Sequence, residues 1–162
     1  SGQVSHYDKR HLFRMAEEKD NYERGKERVI VELNGWRILL QVCYDLRFPD
    51  LFRTLALSGA KIIAVPAAFT HVTGQAHWHV LLRSRAIETG CFIIAPAQGG
   101  KHDDGRETYG HSLIIDPWGV ILAEGSVDPG VIVATLDLAK VDDVRGKVPS
   151  LKHIRPFGLP TS

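Results

Sequence analysis

The sequence has little cysteine: two in 162 residues, Cys43 and Cys91. Two thiols do not build the disulfide framework of a small secreted domain, and a reducing, cytoplasmic setting is the expectation. Charge of either sign is not in excess. With 20 basic and 19 acidic residues the formal net charge is +1, which leaves no electrostatic footprint for nucleic acid or for an acidic membrane surface. No apolar run approaches the roughly 18–20 residues that cross a bilayer, and the chain has no internal repeat and no low-complexity segment. What is there, 44% hydrophobic and 24% charged residues, is an ordinary globular composition. The length suffices for one domain with a sizeable core, read here as residues 1–162.

One stretch organises the rest: Ile38-Leu39-Leu40-Gln41-Val42-Cys43-Tyr44-Asp45-Leu46-Arg47-Phe48-Pro49. Its apolar beginning predicts a strand buried on both faces. The apolar spacing of 50–57, stopped at Gly59, predicts a helix. Cys43 therefore falls where a central strand gives way to a helix, at the carboxyl edge where open α/β sheets bind ligands. The turn is expected to bring the N–H groups of Tyr44 and Asp45 near the sulfur, where they lower a thiol pKa and receive an oxyanion.

Around it, 4–7 predicts a short strand, 14–25 a charged surface loop with helical character, and 29–33 and 36–42 a hairpin across Asn34-Gly35. Strands at 61–66 and 91–96 flank a helix at 77–89 that stops at Gly90, with Gly74 and Gln75 in the preceding loop. This β-α-β-α-β order predicts neighbouring parallel strands. A glycine-rich loop follows at 99–110. Strands at 112–116, 120–124 and 131–136 are joined by the turns Pro117-Trp118-Gly119 and Asp128-Pro129-Gly130. A helix at 138–147 and an extended tail from Pro149 complete the chain.

Of the two thiols, Cys91 begins a buried strand without polar neighbours and is read as structural. Arg47 can grip a carboxylate bidentately or pair with Asp45 or Asp50 to hold the turn; the second role is favoured. His71, His77 and His79 lack zinc-type spacing and have no cysteine nearby, so no metal and no cofactor are expected.

The succession Tyr7-Asp8-Lys9-Arg10-His11-Leu12-Phe13, Val42-Cys43-Tyr44-Asp45-Leu46-Arg47-Phe48-Pro49, Pro66-Ala67-Ala68-Phe69, Thr73-Gly74-Gln75-Ala76-His77-Trp78, Arg83-Ser84-Arg85-Ala86-Ile87-Glu88, Tyr109-Gly110-His111-Ser112 and Asp116-Pro117-Trp118-Gly119 resembles the nitrilase superfamily of carbon–nitrogen hydrolases, and within it the amidase branch of the Nit proteins and ω-amidases. The resemblance runs through essentially the whole chain. It implies a nitrilase-like α-β-β-α sandwich, incomplete at the N-terminus, and a Glu-Lys-Cys triad with Cys43 as nucleophile and Lys9 as its lysine. Glu18, seven residues before Gly25, matches the accessory glutamate of the family. Phe69 and Thr73, on the loop after the second strand, match pocket-lining positions. Tyr44 and Arg47 join them as substrate-binding residues.

The activity so implied is hydrolysis of a small non-peptide amide, an ω-amide or a deaminated-glutathione-like amide, through a cysteine thioester. The partners implied are that small molecule and further copies of the chain in a homodimer or larger homo-oligomer, with neither nucleic acid nor membrane. Two departures from the family pattern stand out: its general-base glutamate lies upstream of the lysine motif and is expected to be missing from these residues, and His79 stands where related amidases often carry glutamate. The alternatives are an isochorismatase-like cysteine hydrolase and a non-catalytic interaction module.

Overall fold

The computed structural model describes residues 4–13 and 18–155. Its centre is a six-stranded sheet of order β1-β2-β3-β4-β7-β8. The strands are β1 (Ile30–Leu33), β2 (Trp36–Leu40), β3 (Ile62–Ala64), β4 (Phe92–Ala95), β7 (Leu113–Ile115) and β8 (Ile121–Glu124). A two-stranded ribbon of β5 (Gly99–Lys101) and β6 (Glu107–Tyr109) stands apart from it. The helices are α1 (Glu18–Asn21), α2 (Pro49–Leu57), α3 (His71–Thr89) and α4 (Ala139–Lys147).

The predicted β-α-β-α-β core is present. β2, β3 and β4 run parallel, with Leu39 beside Ile63 and Ile63 beside Ile93. Antiparallel neighbours continue the sheet on each side. Asn34 and Gly35 turn β1 into β2 with φ of 51° and 80°, the left-handed pair that a two-residue hairpin requires.

Because side chains alternate along a strand, Leu39, Ile63, Ile93, Leu113 and Ile115 share one face and are fully buried against Phe52 and Leu55 of α2 and Trp78, Leu82 and Ala86 of α3. At about 1.5–3 kcal/mol for each large apolar side chain buried, this layer dominates the stability of the fold. Ile62 and Phe92 face the other way, toward Val141 of α4 with Leu136 and Leu138. That side is less complete. Ile38, Leu40, Ala64 and Ile94 are only partly buried, so β2 is fully covered on one face and half covered on the other.

Several expectations change. Residues 4–7 form no strand, and Val4 is 89% exposed. The segment 131–136 forms no strand, with Val131 and Val133 in solvent. The glycine-rich loop contains the β5–β6 ribbon. Helix α3 begins at His71, so Gly74 and Gln75 lie inside it. Glycine is required at 74 because a methyl group there would run into Cβ and the ring of Tyr109, so tertiary packing outweighs a helix propensity worth about 1 kcal/mol. The first part of the 14–25 loop and the last prolines of the tail lie outside the described residues.

Candidate active site

The three parallel strands end on one side of the sheet, and the chain segments leaving them build the site. After β2 the backbone enters a 3-10 turn, Cys43–Arg47, before α2. Cys43 has φ of 50°. A non-glycine residue held there stores local strain, of order 1–3 kcal/mol, which must be held by its surroundings. The Cys43 N–H donates to the Pro66 carbonyl at 2.9 Å, and Ala67 N–H to the Pro96 carbonyl at 3.0 Å, tying together the exits of β2, β3 and β4. Arg85 of α3, 5% exposed, donates Nε and Nη2 to the Leu46 carbonyl at 3.1 and 2.9 Å. The far end of the elbow is thereby fixed to α3.

The N–H groups of Ala68 and Tyr44 both act on the Cys43 sulfur in favour of its thiolate. The Asp45 N–H, expected to share that role, instead closes the turn on the Val42 carbonyl at 3.0 Å. Ala68 comes from the loop after β3, and turn chemistry around Cys43 alone could not reveal it. Burial pushes the Cys43 thiol up, against the opposing pull of these two N–H groups and the Lys9 charge, while the Glu18 charge raises it further. The Tyr44 N–H does pull the thiol down, in the direction expected, but desolvation of the thiolate outweighs the donors. A protonated thiol then needs a base before it can attack.

Lys9 and Glu18 both act electrostatically on that sulfur. Lys9 Nζ lies 2.7 and 2.6 Å from the two carboxylate oxygens of Glu18, and the Phe13 N–H donates to Glu18 Oε2 at 2.8 Å. Gly25 makes this arrangement possible. Its N–H donates to the Lys9 carbonyl at 3.0 Å, and any side chain there would strike the main chain of Asp8. The lysine segment is joined to the elbow through Asp45, fully buried, which receives the Tyr7 hydroxyl at 2.9 Å, the His11 N–H at 3.0 Å and the Val42 N–H at 3.1 Å. His11 also stacks on Phe48, ring centroids 3.5 Å apart.

Arg47 pairs with neither Asp45 nor Asp50. Nη1 stands 3.2 Å from Nδ1 of His77, and the guanidinium lies over the Phe69 ring, 5.2 Å from its centroid. Among the described residues it has no carboxylate partner. Phe69, 6% exposed, packs on Trp78 beneath it. Tyr44 contributes its N–H, while its ring rests on Phe13 and Phe48. Thr73 lies in the first turn of α3 rather than on a loop, and its hydroxyl is taken up by that of Thr70 at 2.8 Å. Cys91 is fully buried, as expected, but it has polar neighbours: its Sγ lies 3.1 Å from Arg145 Nη2 and 3.3 Å from the Ala60 carbonyl. A surface groove lined by Ala56, Leu57, Ile87, Val148 and Leu151 contains none of the residues of the Cys43 turn.

The family model described as carbon-nitrogen hydrolase matches residues 1–146. The chain belongs to the carbon-nitrogen hydrolase family. Over 114 residues it is 53% identical to a deaminated glutathione amidase of Synechocystis sp., an alignment covering 70% of this chain and 42% of that protein. Among solved structures, a CN-hydrolase superfamily protein of Xanthomonas campestris superposes with a TM-score of 0.86 at 35% identity, over 95% of this chain and 60% of that one. An amidase from Nesterenkonia sp. AN1, solved with acrylamide added to its active-site cysteine, superposes with a TM-score of 0.73 at 30% identity, over 88% of this chain and 56% of that one. The chain thus spans less than two thirds of the length of each. Membership of this family sets the isochorismatase-like alternative aside, and the fold is that of the nitrilase superfamily.

Proposed function

We propose that the chain carries the thiol part of an amidase site, hydrolysing a small non-peptide amide through a thioester on Cys43. What supports this most is one convergence: a thiol on a left-handed elbow, with two main-chain N–H groups and the Lys9–Glu18 pair acting electrostatically on it. Cys43 Sγ attacks the amide carbon, and the charge that develops on the amide oxygen is stabilised by the Tyr44 N–H and the Lys9 ammonium. Ammonia leaves and the thioester remains. Water then adds to the same carbon, the carboxylic acid departs and the thiol is restored. A base must act twice, first on the thiol and then on the water. Glu18 already holds Lys9 and the Phe13 N–H, so we assign that base not to Glu18 but, as the resemblance implies, to a glutamate of the kind the family carries upstream of its lysine motif. Glu18 is then the residue that orients Lys9.

Arg47 suggests the substrate class. A guanidinium beside the His77 ring and over a phenyl ring, without an acidic partner among the described residues, suits a substrate that carries its own carboxylate. That favours an ω-amide of a dicarboxylic acid or a deaminated-glutathione-like amide, in keeping with the Synechocystis relative. Homo-oligomers in a cytoplasmic setting belong to the same proposal. Val72, Val80 and Ile87 are exposed along one side of α3, a stripe that a second copy can cover. No helix among the described residues is long and apolar enough to cross a membrane.

The experiment is ammonia release from 2-oxoglutaramate and deaminated glutathione, with the chain joined to the upstream segment of a related amidase. Mass spectrometry of the quenched reaction is expected to find an acyl adduct on Cys43. Turnover that persists after Cys43→Ala would remove the proposal.

A further inference from the structure

Away from the Cys43 turn, His79 on α3, His111 just before β7 and Glu124 at the end of β8 turn their ligating atoms toward one another. Nε2 of His79 lies 3.0 Å, and Nδ1 of His111 2.8 Å, from the same carboxylate oxygen, Glu124 Oε1. All three ligating atoms lie within 4.8 Å of one another. The amide-hydrolysis reading uses none of these residues.

Two features set this cluster apart from a surface ion pair. The first is preorganisation. His111 is held with φ of 55°, its N–H donating to the Ser126 carbonyl at 3.1 Å and its own carbonyl receiving Trp78 Nε1 at 2.7 Å. Its ring is stacked on Tyr109, centroids 4.4 Å apart. Trp78 is fully buried and precedes His79 directly, so the same core contact also places the helical ligand. The second is the donor set. An ion pair needs one imidazole; here two, from separate elements, converge on one oxygen. Two imidazole nitrogens and a carboxylate suit borderline divalent ions, zinc above all. Tetrahedral ligands about 2.0–2.1 Å from zinc stand roughly 3.3 Å apart, so the two N···O separations need open by only about half an ångström. The side chains are 28%, 33% and 39% exposed, which gives the ion a path and leaves room for water in its remaining position.

We propose that His79, His111 and Glu124 form a binding site for a divalent transition ion, held by Nε2 of His79, Nδ1 of His111 and a carboxylate oxygen of Glu124, with water completing the shell. Each imidazole binds through the nitrogen that now faces Glu124 and carries its remaining proton on the other ring nitrogen, so two hydrogen bonds to the carboxylate are exchanged for coordinate bonds. The ion clamps α3 to the β7–β8 edge of the sheet. The sequence hides the site, because its ligands are 32 and 13 residues apart (111 − 79 and 124 − 111) and the fold alone brings them together.

The test uses the full 162-residue chain, stripped of metal and titrated with Co²⁺, then with Zn²⁺ in competition. One Co²⁺ per chain is expected, with ligand-field bands and no thiolate charge-transfer band, so that neither cysteine enters the count. His79→Ala, His111→Ala and Glu124→Gln should each weaken Co²⁺ binding at least about 10-fold. His71→Ala, on the same helix and 3.9 Å from Glu107, should leave it unchanged. Zn²⁺ at about a hundred times its dissociation constant should shift the folding equilibrium about 100-fold toward the native state, and at the same concentration Glu124→Gln should cut that shift to about 10-fold or less, even where a histidine variant folds poorly. The absence of saturable binding at micromolar Co²⁺, binding that survives all three substitutions, or a thiolate band would each overturn the proposal.

Discussion

Asp45 Oδ1 accepts two hydrogen bonds from His11, one from its main-chain N–H at 3.0 Å and one at ring Nδ1, 2.7 Å away. The other oxygen takes the Tyr7 hydroxyl and the Val42 N–H. A carboxylate buried two residues after Cys43 therefore holds the segment that carries Lys9. Burial and the Asp45 charge both raise the Tyr7 phenol, which keeps it a donor through the neutral range. Asp45→Asn, which puts an amide nitrogen where an acceptor is needed, should cost roughly 1–3 kcal/mol, and Tyr7→Phe about 1 kcal/mol. Urea unfolding measures both. An Asp45→Asn protein as stable as the parent would show that the elbow and the lysine segment do not depend on this carboxylate.

The two thiols should separate by reactivity. Cys43 is partly accessible, while Cys91 is closed in and bonded to main chain and Arg145. Burial raises Cys43 above the ordinary thiol range, so the neutral thiol predominates at pH 7 and the thiolate fraction grows as the pH climbs. Mass-mapped iodoacetamide labelling should find Cys43 first, at a rate still rising beyond the pH at which a free cysteine levels off. Preferential labelling of Cys91 in the folded protein would overturn the assignment of the nucleophile.

Lys9 is expected to act on rate rather than on binding. With the upstream segment of a related amidase supplied, Lys9→Ala removes the proposed oxyanion donor and should slow acylation by about 10²–10³ with little change in substrate affinity. Pre-steady-state kinetics separate the two. An unchanged acylation rate with a weaker dissociation constant would make Lys9 a binding residue only.

Gly74→Ala sets two effects of opposite sign against each other. Alanine favours a helix interior by about 1 kcal/mol, but its methyl group would meet Tyr109, and overpacking of that kind costs typically about 1–3 kcal/mol. Net destabilisation is expected in thermal unfolding. A gain in stability would mean that the β5–β6 ribbon gives way at little cost.

What the sequence made legible follows from the range of the forces involved. The parallel core, the Asn34-Gly35 hairpin and the stop at Gly90 are written in local apolar runs and turn residues, and the structure has all three. The first turns of α3 were not legible, because His71-Val72-Thr73-Gly74 has no helical pattern of its own and is held by packing against the ribbon. In the site, Cys43, Lys9 and Glu18 were found through motifs and do come together. The Ala68 N–H on the sulfur and the four donors on Asp45 arise from segments that meet only in the folded chain.

The 162 residues alone are expected not to turn over amides. Both chemical steps need a proton acceptor near Cys43. Lys9 is a cation with three donors and no acceptor. Glu18 has both oxygens on Lys9 and also receives the Phe13 N–H; taking a proton would break a contact that holds the oxyanion donor in place. His11 is turned to Asp45 and His77 to Arg47. The thiol, raised by burial, does not ionise unaided near neutral pH. Ammonia release from 2-oxoglutaramate should therefore be absent for the chain by itself and appear when the upstream segment of a related amidase is supplied. Turnover by these residues alone, abolished by both Cys43→Ala and Glu18→Gln, would make Glu18 the base and would move the proton chemistry into the Lys9 pair.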